Sequence, residues 1–190
     1  MRLSARPLAA LVFASVCGWA SSSLAATWLI DPGRSEIAFS GTHSGRAFKG
    51  VFQKWTGTID FDPDIPETAK IEIVVDLASA KTGDATYDRT LPQKDWLDTA
   101  ASAKATFTTS AVRRGEAPGQ YVADGSLTLR GKAAAVTLPF TLTIDGDKAE
   151  MSGRAQLRRL DFGIGQSSDA GGSWVSVDIP VEVKVSATKQ

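Results

Sequence analysis

From Thr27 to Val185 apolar and polar residues alternate almost without interruption. The clearest run is 174–185. There Val175, Val177, Ile179, Val181, Val183 and Val185 share one face, and Ser176, Asp178, Glu182 and Lys184 share the other. A period of two places successive side chains on opposite sides of a strand, so the pattern predicts a sheet with one apolar and one polar face. A single chain buries that apolar face by curling the sheet on itself. The inside is then either packed core or a cavity for something apolar.

Trp28–Ile30 predicts a first short strand, turned by Asp31-Pro32-Gly33. Ile37, Phe39, Gly41 and His43 alternate in the next strand, and Ser44-Gly45-Arg46 turns it. A long strand follows over 47–62, with its parity out of step. Phe48, Gly50 and Phe52 face one way, while Trp55, Gly57, Ile59 and Phe61 continue one position later. A one-residue slip would turn every later side chain outward, so a bulge is expected near Gln53-Lys54. Ile71, Ile73, Val75 and Leu77 share a face of the next strand. Four more strands are predicted near 104–112, 120–131, 134–145 and 148–161, with Asp145-Gly146 as a hairpin turn. A mobile, glycine-rich loop over 163–172 precedes the last strand, read as 174–185.

Between 82 and 103 the alternation stops. The segment 87–98 predicts short helical turns with Leu91, Trp96 and Leu97 as their apolar side, suited to act as a lid. The fold class is therefore all-β: a single extended eight-stranded antiparallel β-barrel, lipocalin-like, with a short helical segment near 87–98. Strands of about ten residues reach roughly 30 Å. A barrel of about eight strands either fills with its own side chains or holds one small ligand.

Residues 1–25 read as a secretory signal. Arg2 and Arg6 precede an apolar run over 8–20, and Ser23-Leu24-Ala25 supplies small residues for cleavage. The run falls short of the roughly 20 residues a membrane span needs. Val16 before Cys17 is too bulky for a lipoprotein signal. Residues 26–190 are left as one barrel domain with a periplasmic destination. Processing removes the sole cysteine, so disulfides and thiol chemistry are absent. The full chain carries 21 basic and 21 acidic residues. A near-neutral chain without basic clusters argues against nucleic-acid partners. The adjacent pairs Arg113-Arg114 and Arg158-Arg159 read as solvated.

Catalytic chemistry finds little support. His43 is the only histidine, which leaves a poor ligand set for zinc and no metal site is expected. Asp60, Asp62 and Asp64 open like a calcium loop, but Ile65 and Ile71 stand where its glycine and closing glutamate are needed. Gly163-x-Gly165 lacks a third glycine and a following helix. No Gly-x-Ser-x-Gly elbow is present. The expectation is a binding protein without enzyme activity or cofactor. Its candidate ligand contacts are Phe39, His43, Phe52, Trp55, Leu91, Trp96, Leu97, Phe107, Leu127, Leu129, Phe140, Leu142 and Phe162. Small residues on the same faces, among them Gly50, Gly125, Ala123 and Ala155, either leave room inside or mark tight bends.

Several pieces, in order, also match a known pattern. Ile30-Asp31-Pro32 is followed by Ser35-x-Ile37-x-Phe39, then by Gly50-x-Phe52-x-x-Trp55-x-Gly57. Thr82-Gly83 precedes Asp88 and Leu91, and Ala105-Thr106-Phe107 comes next. Gly125-Ser-Leu-Thr-Leu-Arg-Gly131 leads into Val136-Thr-Leu-Pro139, and Arg159-x-Asp161-Phe162-Gly163-Ile164-Gly165 closes the series. In order and spacing the chain resembles the YceI-like family of lipid-binding barrels over nearly its whole mature length. That resemblance implies a lipocalin-like tunnel for a long-chain isoprenoid lipid, polyisoprenoid or quinone, and a carrier or storage role. It also implies a homodimer, and a carrier of this kind is expected to touch a membrane transiently. Two positions depart from the family, which usually has histidine where this chain has Arg34 and Thr90. The run 48–57 is similar to a subset linked to membrane b-type cytochromes. That likeness supports an alternative reading as a non-enzymatic accessory of a membrane redox or stress system.

Overall fold

The computed structural model describes residues 25–190. The expected signal segment therefore lies almost wholly outside the described residues. Eleven strand segments form one antiparallel sheet: β1 (Ala26–Ile30), β2 (Glu36–His43), β3 (Arg46–Phe52), β4 (Trp55–Phe61), β5 (Lys70–Asp76), β6 (Ala80–Lys81), β7 (Lys104–Arg114), β8 (Gln120–Leu129), β9 (Lys132–Asp145), β10 (Lys148–Arg158) and β11 (Asp178–Lys189). The sheet closes on itself because β1 pairs with both β4 and β11.

Three of the barrel's eight staves are broken in two. β1 and β2 lie along the same edge of β11, the first against 187–189 and the second against 181–184. β3 and β4 then pair with β2 and β1, and β6 and β5 pair with β3 and β4. The lower half is thus a fully paired ring from β1 through β4, β5 and β7 to β11. In the upper half no pairing joins the short β6 to β7 among the described residues. The gap falls where the alternation stops in the sequence.

The parity slip predicted near Gln53-Lys54 is a strand break. Gln53 donates its N–H to the Ser79 carbonyl, and the Lys54 N–H donates to Ser79 Oγ. These bonds satisfy the backbone groups that the ladder drops there. On either side of the break the apolar residues face inward: Phe48 and Phe52 in β3, Ile59 and Phe61 in β4. A register irregularity lies instead in β7, between Thr109 and Ala111.

The helical segment is shorter than 87–98. Helix α1 spans Ala85–Thr90, and single turns continue to residue 101. Asp84 caps α1 by accepting from the Thr86 and Tyr87 N–H groups. Leu91 keeps helical angles as the C-cap, and Pro92, with no N–H to donate, ends the ladder there.

The last strand is displaced from its expected place. It begins at Asp178 and runs to Lys189, whereas 174–177 lies outside the ladder save for one bridge between Val175 and His43. Trp174 is 59% exposed. The cause is a buried ion pair that sequence reading missed. Arg159, expected to be solvated beside Arg158, is 3% exposed and pairs with Asp169 at 2.8 Å. Its guanidinium also donates to the carbonyls of Ile164, Asp169, Val175 and Ser176. Asp169 accepts the N–H groups of Ser173, Trp174 and Val175. The glycine-rich loop is therefore tied down rather than mobile, and its 174–177 end is held by these side chains together with backbone bonds to Thr42, Ser44 and Arg159.

Candidate functional site: an apolar tunnel with a polar mouth

Three adjoining cavities run up the inside of the barrel. The lowest encloses about 180 Å³ and is apolar throughout. Ile59, Ile71, Phe107, Phe140, Leu142 and Val185 are among the residues that line it. Thr109 also lines it, but its hydroxyl is spent on the Ile71 backbone. Below, Phe61 meets Tyr121 edge to face at 5.3 Å, and Tyr121 stacks on Phe140 at 5.4 Å. These three buried rings belong to the packed core at this end.

The middle cavity, about 170 Å³, is again apolar throughout. It shares Ile37, Val75, Leu127, Leu157 and Val181 with the lower one, so the two adjoin. Phe39, Phe52, Leu129 and Phe162 line its wall, and Leu91, Trp96 and Leu97 close it from the capping segment. Arg159 borders it without offering a polar surface, because its donors are used on the loop.

The upper cavity, about 220 Å³, shares Phe39, Phe48, Leu91, Trp96 and Val175 with the middle one. It adds His43, Thr82, Thr86, Tyr87 and Thr90, and here polar groups first appear. His43 Nδ1 and Tyr87 Oη lie 2.8 Å apart, with their rings edge to face. Thr82 Oγ1 donates to Asp88, and Thr90 Oγ1 donates to the Thr86 carbonyl.

The tunnel brings together twelve of the thirteen expected contacts. Trp55 is the exception among cavity-lining residues. It packs against the lower core but borders a polar outer groove with Lys54, Asp76 and Lys104. Sequence reading missed Tyr87, Phe48 and Val175. Tyr87 and Phe48 were visible only as members of a lid and a strand, and no local signal marks them as neighbours of His43. The two departures from the family pattern separate. Thr90 lines the mouth, whereas Arg34 lines none of the three cavities and pairs with Glu150 at 2.6 Å.

Glycines shape the wall. The Phe39 ring lies over Gly50, its cross-strand partner, so closely that a Cβ at Gly50 would overlap its Cζ. A Cβ at Gly125 would meet the Phe107 ring at 2.6 Å. These small residues neither leave simple voids nor mark bends. They let aromatic rings lie flat against the sheet and so keep bulk off the barrel axis.

The cap over the tunnel is fastened at one side. Asp95 accepts from the Ser167 and Ser168 N–H groups at 2.9 Å and from Ser168 Oγ at 2.6 Å. Burial acts to raise the Asp95 carboxyl, but the Ser168 hydroxyl and those two N–H groups outweigh it and hold it down at about 2. Arg130 donates to the carbonyls of Lys94, Phe162 and Gly163.

The YceI-like domain matches residues 28–187, nearly all of the described chain. The chain belongs to the YceI-like family. A UPF0312 protein of Pseudomonas savastanoi is 32% identical over 170 residues, covering 84% of this chain and 87% of its own. Protein YceI of Escherichia coli O157:H7 is 30% identical over 189 residues, covering 94% and 96%. Among solved structures, Burkholderia cenocepacia BcnA is 27% identical with a TM-score of 0.79, over 84% of this chain and 99% of that one. A polyisoprenoid-binding domain from Saccharophagus degradans shares the fold with a TM-score of 0.67 at 15% identity, over 87% of this chain and 99% of that one. This YceI-like barrel is thus a closed eight-stranded antiparallel structure of lipocalin type. Among its described residues, no helix is long and apolar enough to cross a membrane.

Proposed function

We propose that this YceI-like protein holds a long-chain apolar lipid, of polyisoprenoid or isoprenoid-quinone type, in its barrel and serves as a periplasmic carrier or store. One observation carries the reading: the three adjoining cavities, the inner two apolar throughout and the outer one edged with hydroxyls and an imidazole. Phe107, Leu127, Leu157 and Val183 point into the barrel yet are only half-buried. Interiors normally pack to crystal-like density, so such exposure in the middle of a barrel means unfilled space. The structural neighbour from Saccharophagus degradans, described as a polyisoprenoid binding domain, has the same fold. The periplasmic part of the reading rests on the signal-like pattern of residues 1–25.

The energetics suit such a ligand. Burying a hydrocarbon is worth about 0.8 kcal/mol per CH₂, so a tail of about 40 carbons has a gross term near 30 kcal/mol. Ordering a flexible chain offsets much of it, and affinities saturate near −18 to −21 kcal/mol. No directional contact is needed to hold the tail. The inner cavities also present no acid, base or nucleophile to a ligand, which favours binding over catalysis.

Solvent extraction of the protein purified from lipid-bearing bacterial cells, followed by mass spectrometry, is expected to release a long-chain isoprenoid. A lipid-free preparation that also fails to take up added isoprenoids would remove the reading.

A further inference from the structure

The mouth is built for one kind of head group. We propose that the His43–Tyr87 pair reads an uncharged, hydrogen-bonding head, a carbonyl or hydroxyl, and that the mouth discriminates against a phosphorylated one. This rests on the tunnel reading above and concerns what the tunnel's open end selects.

The first argument is orientation. The lower and middle cavities offer no polar surface, and the far end adjoins packed aromatic rings. A polar head placed there would lose its hydration without gaining a partner. Only the upper cavity presents polar surface to a guest.

The second argument counts protons. A neutral imidazole and a phenol hold two labile protons between them. One is consumed in the 2.8 Å contact between His43 Nδ1 and Tyr87 Oη. If Tyr87 donates, His43 Nε2–H remains free. If His43 donates, the Tyr87 hydroxyl proton remains free. Whichever tautomer is present, the pair keeps one donor for a guest. The nearby Thr82 and Thr90 hydroxyl protons are already used within the cap. The Thr86 hydroxyl, also in the lining, adds a second neutral donor, and a pair of neutral donors at the end of a greasy tunnel fits a carbonyl or hydroxyl oxygen.

The third argument is charge. None of the ten residues lining the mouth is charged. A diphosphate needs cations or free backbone N–H groups. In the first turn of α1 the Thr86 and Tyr87 N–H groups are occupied by Asp84. Lys81, the neighbouring cation, pairs with Asp88 at 3.8 Å. Asp88 stays ionised, because the Thr82 N–H and hydroxyl lower its carboxyl and Lys81 adds to the effect. Asp84 and Asp88 thus set negative charge beside the mouth, and the further cations, Arg46 opposite His43 in the ladder and Arg89 of α1, do not line it.

The test titrates the full-length protein by quenching of tryptophan fluorescence, since Trp96 lines both the mouth and the middle cavity. Four probes share one tail length: a headless isoprenoid hydrocarbon, the isoprenol, an isoprenoid benzoquinone and the isoprenyl diphosphate. The quinone and the alcohol are expected to bind about tenfold or more tighter than the diphosphate, the size of one good hydrogen bond. Tyr87→Phe keeps the ring contacts to Phe48 and His43 but removes the hydroxyl. Alone it leaves one proton on His43, so it is combined with His43→Leu, which removes the second. The double variant should cut the ratio of quinone to hydrocarbon affinity, read within the same variant, by about tenfold. Diphosphate binding as tight as quinone binding, or an advantage of quinone over hydrocarbon that survives both substitutions, would overturn the inference while leaving the lipid tunnel standing. Failure of the headless hydrocarbon and the other three probes to bind would bring down both.

Discussion

Arg159 and Asp169 have the largest single consequence of any side chains in the barrel. Together they bind seven backbone groups of the loop that leads into β11. Burial acts to raise the Asp169 carboxyl, but the N–H groups of Val175, Trp174 and Ser173, with Arg159, outweigh it and keep it ionised. A buried charge whose partner is removed typically costs about 3–5 kcal/mol. Asp169→Asn should therefore destabilise the fold by about that amount, read as a lowered urea midpoint with an unchanged slope. A variant as stable as the parent would show that the pair is only tolerated. The sequence could not reveal this pair. Arg158-Arg159 looks like any surface doublet, and the nine residues between Arg159 and Asp169 give no clue that the chain folds back to join them.

At the scale of elements, the cap and the glycine-rich loop act as one unit. Asp95 joins them through Ser167 and Ser168, and the Gly165 N–H donates to the Asp95 carbonyl at 2.5 Å. The Asp95 carboxyl titrates near 2 in the folded protein, below the value of about 3.9 for an unfolded aspartate. Its contribution to stability is therefore fully present above pH 4 or so and is lost as the pH falls through about 2. Acid should loosen the cap over that window, seen as faster amide exchange over 91–102 before the barrel strands respond. Asp95→Asn should remove this pH dependence; an acid response identical to the parent's would place the transition elsewhere. The cap was legible in the sequence as the one stretch without alternation. Its fastening was not, because Asp95 and Ser167 are far apart in the chain.

The whole molecule couples a closed lower ring to an upper half whose wall is completed by a cap. Broken staves make this possible: β1 and β2, and β3 and β4, change partners halfway up. The depth of the tunnel then sets how much tail it accepts. Ala149 is buried, lines the lower cavity and pairs with Ala187 and Ile144 at its far end, so Ala149→Leu adds bulk there. This substitution should weaken binding of a tail of about 40 carbons while sparing one of about 20, because the lost area lies only at the far end. Overpacking should cost no more than about 1–3 kcal/mol of stability. Equal loss for both tails in a binding series would mean that chain length is not read by the lower cavity.

The alternation by itself determined an antiparallel sheet with one apolar face, the inward set that includes Phe39, Phe107, Leu127 and Phe140, and the place of the cap. Each of these is a short-range property: residue i points where i+2 points. Tertiary structure alone decided that the inward faces leave space between them, that Phe39 folds over Gly50, and that His43 meets Tyr87. It also decided that Arg159 is buried and that β11 starts at Asp178. The physical reason is common to all of them. Whether facing walls touch, and which distant polar groups become partners, depends on the barrel's circumference and closure, and no local pattern encodes those distances.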